Sequence, residues 1–251
     1  MTVHRRGRIP RPPSGVDEHP DEIYTQQGEG LTWQLQPYIW QAGGDFLNKT
    51  YTAPAFNNAA GQKALGFLVG LIQTDHVTEA GQWGAFDKGQ AGMRIDGSWM
   101  VNTYAHQVPF KVGTALIPMP SGGKRATNMG GEQIFVFNSA SKAEQNAAAT
   151  FAVWLSSTPV QIQWDQLTSF MPTRVSVAKS GAIKRWVKQT PQLNAFVKQQ
   201  QYAHARPPIP QYPAVSDAFS KAIEPAFYGK VSVAQALTDA AKAVSAALAA
   251  G

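Results

Sequence analysis

Hydrophobic and polar positions alternate along this chain with two different periods, separated by stretches that have neither. Residues 1 to 30, MTVHRRGRIPRPPSGVDEHPDEIYTQQGEG, mix proline, glycine and charge without an apolar repeat and predict a flexible leader. From Leu31, LTWQLQPYIWQAGGDF is aromatic and apolar, and Gly43-Gly44 predict a helix that stops near Gly43 in a left-handed conformation. Asn58 predicts the cap of the next helix, whose Ala64, Leu65, Phe67, Leu68, Leu71 and Ile72 fall on one face. Ser141 with Glu144, and Ser232 with Gln235, have the spacing of capping boxes. The first opens a helix faced by Ala147, Phe151, Trp154 and Leu155, the second a helix faced by Leu237, Ala240, Val244 and Leu248. Thr158-Pro159 starts another helix carrying Ile162 and Leu167, a further one is expected from Lys184 to Gln200, and one more ends at Gly229. KVGTALIPMP (111–120) and EQIFVF (132–137) have strand character.

The stretch FDKGQAGMRIDGSWM (86–100) combines both periods. Trp83 and Phe86 predict a short helix stopped by Gly89; Ala91, Met93 and Ile95 alternate as a strand does; Asp96 or Ser98 can then cap a helix bearing Trp99, Met100 and Tyr104. Trp99 therefore falls just beyond a strand end, where open α/β sheets hold ligands. Packing in a core is the competing role for an indole.

Composition narrows the function. The 251 residues, 43% hydrophobic and 15% charged, describe a globular protein, and no apolar run approaches the roughly 20 residues of a membrane span. With no cysteine, disulfides and thiolate metal sites are excluded. The net charge of +6 is scattered; Lys184, Arg185 and Lys188 predict a solvated helix face, and no basic and aromatic cluster suggests nucleic-acid binding. The leader has no apolar core of a secretory signal. His4, His19, His76, His106 and His204 lack metal spacing, and GGKR lacks the upstream glycine and hydroxyl of a P-loop. SGGK and SASK match a Ser-x-x-Lys pattern without its companion motifs, and Asn48-Lys49-Thr50 is a glycosylation triplet of a kind that is common by chance. No metal and no cofactor are expected.

What remains is a set of aromatics and glycine turns at element ends: Trp40 with Gly43-Gly44-Asp45, Trp99 after Asp96-Gly97, Gly130-Gly131-Glu132, and Tyr212. Such a set suits a sugar, whose C–H faces stack on aromatic rings and whose hydroxyls bond to carboxylates. A glycoside-processing enzyme would instead need two carboxylates across a cleft, and Asp45, Asp96 and Glu132 are the available members. A remnant that binds no ligand is the third alternative.

The order F-x-x-G-x-A-x-M-x-I-D-G-S-W (86–99), VGTALIPMP (112–120), MGGEQIFVFNSASKAEQNAAATFAVWLSS (129–157), MPTRVSV (171–177) and IPQYP (209–213) resembles the extracellular solute-binding proteins of sugar-importing ABC transporters, the group of maltose-binding protein. The resemblance covers about residues 31 to 251. It implies an α/β, helix-rich periplasmic-binding-protein type II fold, comprising the C-terminal lobe and part of the N-terminal lobe. Residues 31–116 and 172–251 would belong to the C-terminal lobe and 117–171 to the N-terminal lobe, with crossings at Leu116 to Pro118 and Phe170 to Pro172. By motif, Trp99 looks like the tryptophan that stacks on sugar and Gly130-Gly131 like the cleft-facing turn; Trp40, Asp45, Glu132, Arg174 and Tyr212 are further ligand candidates. The implied partners are a sugar and the membrane permease subunits of an importer; the implied location is outside the cell or in the periplasm if the full-length form carries a signal peptide, and the cytoplasm for the chain as given. The family's signal peptide and most of its N-terminal lobe have no counterpart here, which predicts a truncated form that exposes Phe135, Phe137, Phe151 and Trp154.

Overall fold

The computed structural model describes residues 22–78, 80–81 and 84–250. Residues 1–21 of the predicted leader, and Trp83 of the short helix expected before Gly89, lie outside them; residues 22–30 of that leader are not free, since Ile23–Tyr24 form a strand and Glu29 opens a helix. Caps and glycines decide where the main helices begin and end. Helix α1 (Glu29–Gln41) closes as Gly43, at φ 88°, and Gly44 return their N–H groups to Trp40 and Ile39. Helix α2 (Ala59–Gln73) opens on the Asn58 side chain, which accepts from the N–H groups of Ala60 and Gly61. A Cβ on Gly61 would meet the Phe56 carbonyl at 1.8 Å, so this first turn admits only glycine.

α3 (Met100–Gln107), α4 (Lys142–Leu155), α5 (Thr158–Thr168), α6 (Val175–Ala178), α7 (Gly181–Gln189), α8 (Leu193–Gln199), α9 (Tyr212–Phe227) and α10 (Val233–Ala249) follow. The capping box at α4 is complete; at α10 Ser232 accepts from Gln235 N, but the Gln235 amide turns to Asp239 instead of back. The single helix expected from 184 to 200 is two. Pro191 lacks an N–H and forces Thr190 out of the helical region, to φ −121° and ψ 79°.

The strands are short: β1 (Ile23–Tyr24) pairs in parallel with β2 (Ala80–Gly81), and β3 (Thr127–Met129) with β4 (Ala203–Ala205). Neither 111–120 nor 132–137 forms a strand, and the alternation near Ile95 yields only a single bridge, Arg94 to Glu22. Apolar alternation prepares an extended backbone, but a strand exists only through a neighbouring ladder. Residues 85–89 form turns instead of a helix, although Gly89 takes the expected left-handed conformation, at φ 72°.

The core joins two stretches remote in sequence. Leu31, Leu35 and Ile39 of α1 and Leu65 and Leu68 of α2 pack with Val215, Phe219 and Ile223 of α9 and Leu237, Ala240 and Val244 of α10. Phe67, expected on the buried face of α2, is exposed and lies beside Tyr38, because 67 falls at the edge of the stripe set by 61, 64, 65, 68 and 72. At the centre Phe219 meets Phe46 and Phe56 edge-on, with ring centroids 4.9 and 4.7 Å away. A smaller cluster gathers Phe86, Ala91 and Tyr104. The segment between the two stretches contributes little: α4 buries no residue at all, and the four aromatics expected to lack cover, Phe135, Phe137, Phe151 and Trp154, are exposed.

Two measurements check this packing. Phe219→Ala should cost about 3 to 5 kcal/mol in urea unfolding, since it empties the middle of the three-ring cluster. Asp165 on α5 is 1% exposed and its Oδ2 has no hydrogen-bond partner; burial pushes its carboxyl from the ordinary 3.8 up to about 6. Its folded value is raised, so its contribution to stability is complete below about pH 4 and is lost as pH rises through about 6. Asp165→Asn should remove that loss, on the order of 2 to 3 kcal/mol above pH 6, and flatten the pH profile of the urea midpoint.

Candidate ligand-binding site

The sequence candidates separate into two groups. The first surrounds Trp99. After the bridge at Arg94 the chain turns at Asp96-Gly97, where the Asp96 carboxylate accepts from Gly97 N at 2.8 Å and from the Tyr104 hydroxyl at 2.7 Å, and pairs with Arg94 at 3.0 Å. Burial, and then the bond to Asp96, push the Tyr104 phenol above its ordinary value. Asp96 thus ties the turn to the middle of α3 and does not cap the helix; α3 begins after Trp99 without a side-chain cap. Trp99 is 40% exposed, with its indole folded over Gly97, where a Cβ would meet the ring at 2.1 Å. Glycine at 97 is therefore a condition of this indole pose. Phe170 stands 6.1 Å away, ring to ring, so Trp99 is a surface aromatic and not a core residue. Arg174, a few residues beyond Phe170, gives its Nη1 to the Ser156 carbonyl at 2.7 Å, which joins the end of α4 to the start of α6.

The second group is organised by the β3–β4 ladder, whose register sets Asn128 beside His204 and Met129 beside Ala205. Gly130 and Arg206 consequently leave the ladder together. The Arg206 guanidinium lies 4.4 Å from the centre of the Trp33 ring and its Nε donates to Glu29 at 2.7 Å. Gly130 borders the same ring, for a Cβ there would come within 2.8 Å of it. The Tyr212 hydroxyl donates to Glu29 at 3.1 Å and accepts from the Gln36 amide at 3.2 Å, while the Ser216 hydroxyl also donates to Glu29. Burial, and then the Glu29 charge, hold the Tyr212 phenol above its ordinary value. Trp40 is 7% exposed; it stacks on His204 at 4.5 Å and donates its indole N–H to Asp45 at 3.1 Å. Asp45 also accepts from Phe46 N. Gly131 has open space around it and Glu132 is exposed.

The fold therefore links Gly130, Tyr212, Trp40 and Asp45 through four residues that sequence reasoning missed: Glu29, Trp33, His204 and Arg206. A signal for part of this set was present. Glu29, Trp33, Gln36 and Trp40 are spaced by four, three and four, and so share one face of α1. Two of the three carboxylates considered for hydrolysis are committed elsewhere: Asp96 to Arg94 and Tyr104, and Asp45 to Trp40. The triplet residue Asn48 is similarly occupied, since its side chain bonds Thr52 and Ala53 within its own turn. Among the described residues no helix is long and apolar enough to cross a membrane.

A family model described as "Bacterial extracellular solute-binding protein" matches residues 19–195. A "Probable ABC transporter-binding protein" of Deinococcus radiodurans is 31% identical over 218 residues, which are 80% of this chain and 50% of that protein. Among solved structures, the cyclic alpha-maltosyl-1,6-maltose binding protein from Arthrobacter globiformis is 44% identical with a TM-score of 0.83, over 95% of this chain and 61% of its own. An ABC transporter solute-binding protein from Thermotoga lettingae, bound with alpha-D-tagatose, is 25% identical with a TM-score of 0.78, over 92% and 60%. The chain spans about half the length of the curated relative and about three fifths of these structures.

The Glu29 network gives a direct test. Tyr212→Phe leaves the Gln36 amide without its acceptor and Glu29 with one donor fewer, and should cost about 1 to 2 kcal/mol in urea unfolding.

Proposed function

Because the chain belongs to the bacterial extracellular solute-binding proteins, we propose that it is the carbohydrate-binding component of an ABC importer, a binder and not an enzyme. The observation that carries this reading is Trp99, an indole held half-exposed over a glycine at the start of a helix. A sugar places its C–H face on such a ring, and burying that face displaces water from both surfaces. The second group offers complementary chemistry. Arg206 is oriented by Glu29 and Trp33, and its remaining N–H groups suit hydroxyl oxygens. Gly130-Gly131 lets a ligand approach the backbone beside Trp33, and Glu132 and Arg174 are the outer polar contacts. Trp40, Asp45 and Tyr212 act from behind, fixing α1, β4 and α9 under the site. The Arthrobacter protein, a binder of cyclic alpha-maltosyl-1,6-maltose, and the Thermotoga protein, bound with alpha-D-tagatose, favour a saccharide or related polyol.

In this reading residues 31–116 and 172–251 form the C-terminal lobe, and 117–171 belong to the N-terminal lobe across the cleft. The protein would work outside the cell or in the periplasm and deliver its ligand to membrane permease subunits. The enzyme alternative has little to build on, since two of the three candidate carboxylates, Asp96 and Asp45, are engaged in separate structural contacts.

The test uses a chimera joining this chain to the stretch of the Arthrobacter globiformis protein that it does not span. Titration with cyclic alpha-maltosyl-1,6-maltose should change tryptophan fluorescence and return the saccharide unaltered. Trp99→Ala should weaken binding by about 1 to 3 kcal/mol and hardly alter the melting temperature. Released product would indicate an enzyme, and unchanged affinity in the variant would remove Trp99 from the site.

A further inference from the structure

The charge of this chain is concentrated in one stretch. Between Asp165 and Asp217 no Asp or Glu occurs, while seven Lys and Arg do, so the stretch carries more positive charge than the net +6 of the whole chain. Two of the seven are occupied: Arg206 pairs with Glu29, and Arg174 donates to the Ser156 carbonyl. The other five, Lys179, Lys184, Arg185, Lys188 and Lys198, are exposed, and none enters an ion pair among the described residues.

Helix α7 gathers three of them on one side. At about 100° per residue, Lys184, Arg185 and Lys188 fall within an arc of roughly 100°, centred opposite buried Ile183 and half-buried Trp186. The Arg185 guanidinium lies back along this face, since a Cβ on Gly181 would come within 3.2 Å of it. Lys179 stands two residues before the helix. α5 and α6 pack against α7, and their one carboxylate, Asp165, is buried, so they offer the basic face no exposed counter-charge. Like charges held together in this way repel, and an anionic partner relieves the repulsion.

We propose that the basic face of α7, with Lys179, docks on an anionic phospholipid surface. A nucleic acid would need a groove or a ring on which bases stack, and Trp186 lies on the opposite side of the helix. A bilayer needs neither. Near an anionic surface each Lys or Arg strengthens attachment on the order of fivefold, and the gains multiply. Because Ile183 of α7 is buried in the protein, the helix does not sink into the bilayer by its apolar side; attachment is electrostatic, reversible and released by salt. It holds the protein at the membrane plane, where an importer's permease subunits stand.

The experiment is flotation of the full chain with vesicles of phosphatidylglycerol and phosphatidylcholine, or of phosphatidylcholine alone. The chain should float with the anionic vesicles in low salt, be released in high salt, and ignore the neutral ones. Lys184→Gln, Arg185→Gln and Lys188→Gln together should weaken attachment at least about tenfold with the melting temperature unchanged. Removing the same charge from other exposed positions, by Lys49→Gln, Lys63→Gln and Lys242→Gln, should change it less than about twofold. Absence of flotation, or equal losses in the two triple variants, would overturn the proposal. So would a loss seen only on replacing Arg5, Arg6, Arg8 and Arg11 of the leader, or tighter binding of single-stranded RNA than of vesicles through the same α7 residues. No saccharide enters the assay, so its outcome is independent of the sugar reading.

Discussion

The second group of candidate residues depends on α1 lying against α9. The contact is made by fully buried Leu31, Leu35 and Ile39 against Val215, Phe219 and Ile223, and it is keyed by polar bonds: Thr32 to the Ser216 carbonyl, and Ser216 and Tyr212 to Glu29. The apolar burial provides the attraction and the polar bonds set the register, since a slip along the axis would leave buried oxygens without partners. With α1 anchored on this side, the stripe of Glu29, Trp33, Gln36 and Trp40 is held where β3 and β4 end, and Arg206 finds Trp33 and Glu29 already in place.

The site thus has a hydrophobic foundation and a charge-ordered surface. Glu29 is shared by a guanidinium and two hydroxyls, so each donor restrains the others. At Trp99 the ordering is steric as well as ionic. Arg94 and Tyr104 hold Asp96, and the missing side chain at Gly97 admits the indole.

Legibility in the sequence followed the range of the interactions. Caps and stops are local, so Asn58, Ser141, Gly43 and Gly229 marked helix ends that the fold adopts. The buried stripe of α10 was equally readable, because a period of 3.6 needs no knowledge of the partner. Strands were not: EQIFVF has the composition of one and lacks the neighbour that would make it one. The site was half legible. Exposed Trp99 and the Gly130 turn came from motif order, whereas Arg206 stood hidden among prolines, and its role arises from a ladder pairing residues 76 positions apart, Asn128 with His204. Trp40 is stacked on His204 in the fold, and aromatic character alone does not distinguish an open ring from a stacked one.

The hydrogen bond from Thr32 to Ser216 spans 184 residues, and that separation orders events in time. During synthesis α1 emerges with its apolar stripe complete and no α9 to receive it. The core cannot close until nearly the entire chain is available, and loop closure over such a distance belongs in the folding barrier. Until then Leu31, Leu35 and Ile39 are open to chaperones. With partners 184 residues apart, the apolar stripe of α1 is covered only late in synthesis.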